Sequence, residues 1–431
     1  MTIQEFFYFS YSRLIAITSK KLKKSEVFCM SPWIQLHAQT DGNISPCCMS
    51  SVHDGNELGN LRLNPDLMAG WNSEKMKALR LNMLRGEKSS ICSNCYAHED
   101  IGKVSERNQY NKDYRHYYSR VLSTAKDGSI KEKSIPLIDI RFSNKCNYKC
   151  RICNSDYSTL WFEEEIKLGK TPDADNQEKK AATDQAAFYE SFKKLLPGVK
   201  RLHFAGGEPL FMDEHYQVLD HLIGIGKTDL TLSYNTNFST LRYKQNNLVK
   251  LWNKFKQIDI WASLDGMGER GDYQRKGQKW ETIEKNIRTI QAECPTANFG
   301  INITVSIFNV LHLPSFLQYI IDQKLAECER INLYPLYYPH HFSILQLPDT
   351  IKAEVVNKLE KFEADYLNKR RDTARIKNHI KAILTLMVSE KSTRINEFQH
   401  WVKAVDAIRD ENFLTTFPEL AEMLYDQSSE L

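Results

Sequence analysis

The chain has 431 residues, with 58 Lys and Arg against 54 Asp and Glu, for a net charge of +4. So small a balance on so long a chain gives no case for nucleic acid or an anionic membrane as the main partner. With 42% hydrophobic and 26% charged residues, and twenty Tyr, twenty Phe and seven Trp, it reads as a globular protein of two or three domains with substantial cores.

Residues 1–27 open with MTIQEFFYFSYSRLIAITSKKLKK, which places Glu5 early, Arg13 inside and the lysines after the apolar part. That order is the reverse of a signal peptide. The segment is too short and polar to span a bilayer and reads as an amphipathic helix docked on the body; a membrane-surface anchor is the competing reading. No other stretch approaches a transmembrane span, so the expected location is the cytoplasm.

Ten cysteines in a long chain without an export signal point to metal binding or catalysis more than to disulfides. Five lie in the front module, residues 28–110. Cys29 comes first, Cys47 and Cys48 follow a hairpin-like TDGN turn, and Cys92 and Cys95 form a C-x2-C pair. Four thiolates from Cys29, Cys47, Cys92 and Cys95 would close a metal centre, with Cys48 able to replace Cys47. The same spacing suits a zinc ribbon.

From about residue 135 the chain alternates apolar runs with amphipathic stretches. Strands are expected at 135–142, 199–205, 230–236, 258–264, 299–306 and 331–337, with helices at 184–196, 214–225 and 280–293. This alternation predicts an α/β fold of parallel strands with right-handed crossovers, as an open sheet or a barrel. Both place ligands at the carboxyl ends of strands. There the sequence puts RFSNKCNYKCRICN after the first strand, GGEP after the second, NTN after the third and SLDG after the fourth. Residues 165–183 read as a charged, mobile insertion, and 341–431 as a helical tail, clearest in TIKAEVVNKLEKFEADYLNKRRD.

Cys146, Cys150 and Cys153 stand within eight residues. A four-iron cluster held by three thiolates keeps one iron open to a small molecule with hard donors. Three other readings stand beside it: zinc with a distant fourth ligand such as His203, a redox pair of Cys150 and Cys153, and chance clustering in a loop.

C-x3-C-x2-C with Tyr148 in its first gap, followed one strand later by Gly206-Gly207-Glu208-Pro209, resembles the radical S-adenosylmethionine (SAM) superfamily over residues 135–340. The resemblance implies a partial (β/α)6 barrel. Cys146, Cys150 and Cys153 would ligate a [4Fe–4S] cluster that binds SAM. Gly206, Gly207 and Glu208 would meet the methionyl amino group, and Tyr148 would pack near the adenine. SLDG with Arg275 looks like the SAM-binding fourth strand of the branch that carries auxiliary clusters. Ser263 and Asp265 would then face the ribose and Arg275 the methionyl carboxylate. Asn235 and Asn237 stand where the family often has TNG, with Phe238 in place of the glycine; Thr304 would point into the same space. Strand-end capping is the alternative for Ser263, Asn235 and Thr304, and a surface salt bridge for Arg275.

The front module, with its early Cys29, G-x4-C from Gly42 to Cys47, LGN…W segment and C-x2-C pair, resembles the SPASM/twitch module. In the family this module usually follows the barrel; here it precedes it. It implies one auxiliary iron–sulfur cluster, [4Fe–4S], on Cys29, Cys47, Cys92 and Cys95. Cys294 and Cys328 read as buried or incidental thiols, and His340 and His341 as a surface pair. The implied chemistry is reductive cleavage of SAM to a 5′-deoxyadenosyl radical that removes hydrogen from a substrate. The electron comes from a low-potential donor such as flavodoxin or ferredoxin. The closed auxiliary cluster would relay an electron, which suits oxidative modification. A peptide or protein is the leading substrate, as in maturases of ribosomally made peptides, although the 28 residues before Cys29 leave no room for a separate peptide-recognition domain. A dehydrogenase of small molecules is the alternative, and a non-catalytic zinc or redox-sensing protein the rival of another class.

Overall fold

In the computed structural model, which describes residues 20, 22, 24–50, 55–100, 104–132, 134–172, 177–389 and 394–425, all six strands expected from the apolar runs are present. Nearly all of the helix expected over residues 1–27 lies outside the described residues. The chain divides into two compact units. One comprises 1–143, 180–206 and 220–230, and the other 144–179, 207–219 and 231–431.

In the first unit, β1 (Gln35–Ala38) and β2 (Asn43–Ser45) form an antiparallel hairpin, and β2 pairs in turn with β3 (Gly59–Asn60). The hairpin turns on Gly42 at φ +86°, where a Cβ would stand 2.5 Å from the Ala181 carbonyl oxygen; only glycine fits. β1 also pairs in parallel with β4 (Leu137–Ile140), which pairs in parallel with β5 (Arg201–Phe204). The front module therefore shares a sheet with the first two strands of the α/β segment, although the sequence suggests a boundary between residues 110 and 135. One side chain ties the front part of this unit together. Arg80, fully buried, donates to the carbonyls of Pro32, Trp71 and Gly128 and to Asn72 Oδ1 at 2.8–3.2 Å.

The second unit holds β6 (Thr231–Thr236), β7 (Gln257–Ser263), β8 (Ala297–Val305) and β9 (Ile331–Pro335), each parallel to the next. The helix Trp280–Glu293 turns Ile283, Ile287 and Ile290 inward at helical spacing. The tail is helical as expected, in Asp349–Asp365, Ala374–Met387, Ile395–Arg409 and Pro418–Tyr425. The α/β class with a parallel sheet and a helical carboxyl end stands. The segment read as a loose insertion begins inside a helix, Phe162–Lys167, and residues 173–176 are not described. Asn144 ties its far end by exchanging backbone and side-chain hydrogen bonds with Lys179. Among the described residues no helix is long and apolar enough to cross a membrane.

Candidate functional site

The three-cysteine loop is held from two sides in the second unit. Lys149–Cys150 forms a short antiparallel ladder with Arg275–Lys276, opposing Cys150 to Arg275, and the Arg151 N–H donates to the Gln274 carbonyl at 2.8 Å. Trp161 Nε1 donates to the Cys150 carbonyl at 2.8 Å. Asn237, at the end of β6, donates through Nδ2 to Asn147 Oδ1 at 2.8 Å, and Asn147 Nδ2 reaches Ser239 Oγ at 3.0 Å. Asn147 and Ser239 are positioning residues that motif reading did not single out. The polar character of the CNYKC gap was the available signal.

The glycines after β5 make a cradle. Gly206 takes φ +113°. A Cβ on Gly207 would stand 2.1 Å from the Lys145 carbonyl oxygen, which also accepts the Glu208 N–H at 2.8 Å. Backbone thus passes against the cysteine loop with no room for a methyl group. Gly207→Ala is accordingly expected to displace that loop and strip most iron from the three-cysteine site, measured by iron counting, with the Cys29 site unaffected.

Glu208 is 1% exposed. Its carboxylate accepts from Thr236 Oγ1 at 2.6 Å, the Asn237 N–H at 2.6 Å and the Leu210 N–H at 3.0 Å. Burial pushes its pKa up to about 7, against those hydrogen bonds. Pro209 opens the short helical turn that Glu208 caps. Asp265, also buried, accepts from Arg275 Nε at 2.8 Å and from the Thr304 N–H at 2.8 Å, so Arg275 is part of a buried pair rather than a surface one. Arg275 Nη1 lies 3.8 Å from Cys150 Sγ. Tyr148 is 2% exposed and packs on Gly277, where a Cβ would meet its ring at 2.9 Å. Asn235 is exposed, its Oδ1 3.5 Å from Asn302 Nδ2, and Ser263 is half-buried and stands directly opposite Asn302 in the strand register. The cysteine loop, Glu208, Asn237, Asp265, Arg275 and Thr304 all lie in the second unit and are linked by these contacts at the carboxyl ends of its strands. Phe238, where the family has glycine, takes the left-handed conformation at φ +56°. It is fully buried against Phe299, with ring centroids 5.2 Å apart.

The front cysteines form a second constellation inside the first unit. Cys29 and Cys95 are buried, Cys47 and Cys92 half-buried, and Cys29 is within electrostatic reach of the other three. Burial raises all four thiols, Cys47 to about 11 and Cys92 to about 12, and repulsion between thiols adds to it at Cys29, Cys47 and Cys92. A cationic iron–sulfur cluster reverses that penalty by holding them as thiolates, and the donor set fits one. Arg107 braces the site, donating to the Phe28 carbonyl at 2.8 Å and to Glu99. Cys48 is exposed, and its strongest charged neighbour is Asp139, ahead of Cys47 and Arg141. Cys47→Ser is therefore expected to lose the front iron while Cys48→Ser retains it, by iron and sulfide counting on each variant. Cys294 is buried; His340 is exposed, whereas His341 is half-buried against Phe342 and Trp401, a departure from the expected surface pair. Among the described residues no three His, Cys, Asp or Glu side chains are gathered as tightly as a single metal ion requires.

The family profile for SPASM, an iron–sulfur cluster-binding domain, matches residues 29–96. The resemblance of the front module to an iron–sulfur cluster-binding module, read from the sequence, stands with it, as does an iron–sulfur cofactor. No curated protein matches the chain. Solved structures with similar folds include native anSMEcpe with bound AdoMet and the Cp18Cys peptide, at 16% identity and TM-score 0.38, covering 60% of this chain and 67% of that one. Streptococcus suis SuiB bound to S-adenosylmethionine is similar at 12% identity and TM-score 0.34, covering 68% and 63%. SuiB bound to the precursor peptide SuiA is similar at 13% and 0.34, with the same coverage.

Proposed function

We propose that the chain is a radical SAM enzyme that oxidatively modifies a peptide or protein. The observation that carries this reading is the meeting of the Cys146–Cys150–Cys153 loop, the Gly207 backbone cradle and the buried Arg275–Asp265 pair at one set of strand ends. Cys146, Cys150 and Cys153 would hold a [4Fe–4S] cluster, and Cys29, Cys47, Cys92 and Cys95 the auxiliary one. A reduced cluster carrying SAM supplies one-electron cleavage of its sulfonium, the source of a hydrogen-abstracting radical.

The chain's own residues do the rest. Gly206 and Gly207 would let backbone approach the cofactor, and Glu208 fixes the end of β6 through Thr236 and Asn237. Arg275 sets a positive charge beside Cys150, which favours its thiolate. Asn237 fixes the cysteine loop through Asn147. A complete four-cysteine set in front has no thiolate to spare for substrate, which supports an electron-relay role there. A low-potential flavodoxin or ferredoxin is the proposed donor, and the cytoplasm the proposed location.

The test is anaerobic reconstitution with iron and sulfide, reduction, and chromatography for 5′-deoxyadenosine with and without candidate peptides. SAM-dependent product that rises with peptide is the expected result. Zinc without sulfide, and no 5′-deoxyadenosine, would overturn the reading in favour of a non-catalytic metal protein. Cleavage that responds only to a small alcohol or sugar would move the substrate class.

A further inference from the structure

One face of the first unit's sheet carries polar side chains that the reading above does not use. Register places His37 of β1, Asp139 of β4 and His203 of β5 in a row across three neighbouring parallel strands. Side chains two apart share a face, so Gln35 precedes the row and Arg141 follows it. The opposite face is apolar and buried, through Leu36, Ile138, Leu202, Ile140 and Phe204. His37 is fully buried, with Nδ1 2.9 Å from Asp139 Oδ2. Arg141 donates through Nη1 to Gln39 at 3.0 Å.

After those contacts four buried atoms on this one face have no hydrogen-bond partner: Gln35 Oε1, His37 Nε2, Asp139 Oδ1 and Arg141 Nε. Native proteins contain few such atoms, and finding four on one sheet face is a sign of a missing occupant. The face is not sealed, because Arg141 and His203 are half-buried and Cys48 beside them is exposed. The side chains are not gathered as tightly as a metal ion requires.

We propose that this face is a binding subsite for a carboxamide or peptide amide, held by Asp139 as acceptor and Arg141 as donor. The chemistry is one of complementarity. Asp139 Oδ1 wants a donor and Arg141 Nε an acceptor, and the amide group offers one of each. Residues two apart on a strand stand about 6.7 Å apart on one face. An amide carries a donor and an acceptor on one small rigid group, which suits two side chains that neighbour each other on one face. A bare ammonium would meet Asp139 but face Arg141, and a carboxylate would meet Arg141 but face Asp139. Naming the occupant as part of a peptide substrate rests on the proposed function; the binding itself does not.

The experiment uses the reconstituted full chain and saturation-transfer NMR with three probes of one size: propionamide, propionate and propylammonium. Propionamide is expected to bind best. Asp139→Leu should weaken it by about tenfold or more, as should Arg141→Met, while Asp139→Asn, which keeps the acceptor oxygen, should largely restore it. Iron content checks folding, and Arg141→Met carries the test should Asp139→Leu lose iron. Propionate or propylammonium binding as well as the amide, or propionamide binding unchanged in Arg141→Met, would overturn the proposal. No SAM cleavage enters this measurement, so its failure and that of the enzyme reading are separate results.

Discussion

Replacing Cys150 by Ala is expected to remove one of two clusters and essentially all SAM cleavage. Cys150 is the cysteine most tightly built into the site: it is buried and pairs across the short ladder with Arg275. Its sulfur lies 3.8 Å from the Arg275 guanidinium. Hydrogen bonding from Cys153 and the charge of Arg275 favour its thiolate against burial, so its pKa is lowered while that of Cys153 is raised well above the usual thiol range. Deleting it removes the thiol of the triplet that Arg275 most favours as thiolate and leaves Arg275 with its Asp265 pair. The front cysteines belong to the other compact unit and hold their own constellation. Iron should therefore fall from about eight to about four per chain rather than to zero. 5′-Deoxyadenosine formation should fall by more than about a thousandfold. Iron content and cleavage both unchanged would sink the assignment of the triplet.

The parts of the molecule legible in the sequence are those where one physical rule acts alone. Strands such as Leu137–Ile140 are buried at every position, so they show as short apolar-rich runs bounded by loop residues, here with Asp139 as the one polar member. Gly207 is legible for a similar reason: a 2.1 Å approach to a carbonyl leaves a single residue type. β1 was not legible. Its four residues, QLHA, form a strand only because β2 and β4 flank it, and one of them is a histidine that pairs with Asp139. Phe238 misleads in another way. A phenylalanine in the left-handed region reads as loss of a motif, yet the backbone keeps the glycine conformation, at a cost of about 1–2 kcal/mol offset by burial of the ring. Nor could spacing show that Arg275 would find Asp265, or that Tyr148 would be covered by Gly277. Such pairings depend on elements far apart in the chain.

The role of the helical tail is the least visible feature from sequence and leads to the second large effect. Arg151, between Cys150 and Cys153, is fully buried. Its Nη2 donates to Asp406 at 2.5 Å and to Glu411, its Nε donates to the Tyr273 carbonyl at 3.0 Å, and its guanidinium lies 3.5 Å over the Tyr273 ring. Asp406 also accepts from the Tyr273 hydroxyl and the Phe413 N–H, each at 2.7 Å, and Lys276 pairs with Glu411 at 2.7 Å. Three residues after Asp406, Arg409 pairs with Glu164 and lies 4.7 Å over Trp161, the residue that bonds the Cys150 carbonyl. The tail therefore grips the cysteine loop through buried charge, which salt screens little.

Breaking one member of such a set leaves its partner charged and dry, at a cost of about 3–5 kcal/mol. Asp406→Ala should lower the denaturant midpoint accordingly, and Arg151→Met should do the same by leaving Asp406 and Glu411 facing each other. The double variant should lose less than the two singles together, because the second change removes an already unpaired charge. Cleavage of SAM should drop by about 10–100-fold in the singles, as for residues that orient metal ligands without touching the metal, while the front iron stays bound. Additive losses, or stability and cleavage within error of the parent, would show that the tail merely covers the loop and does not hold it.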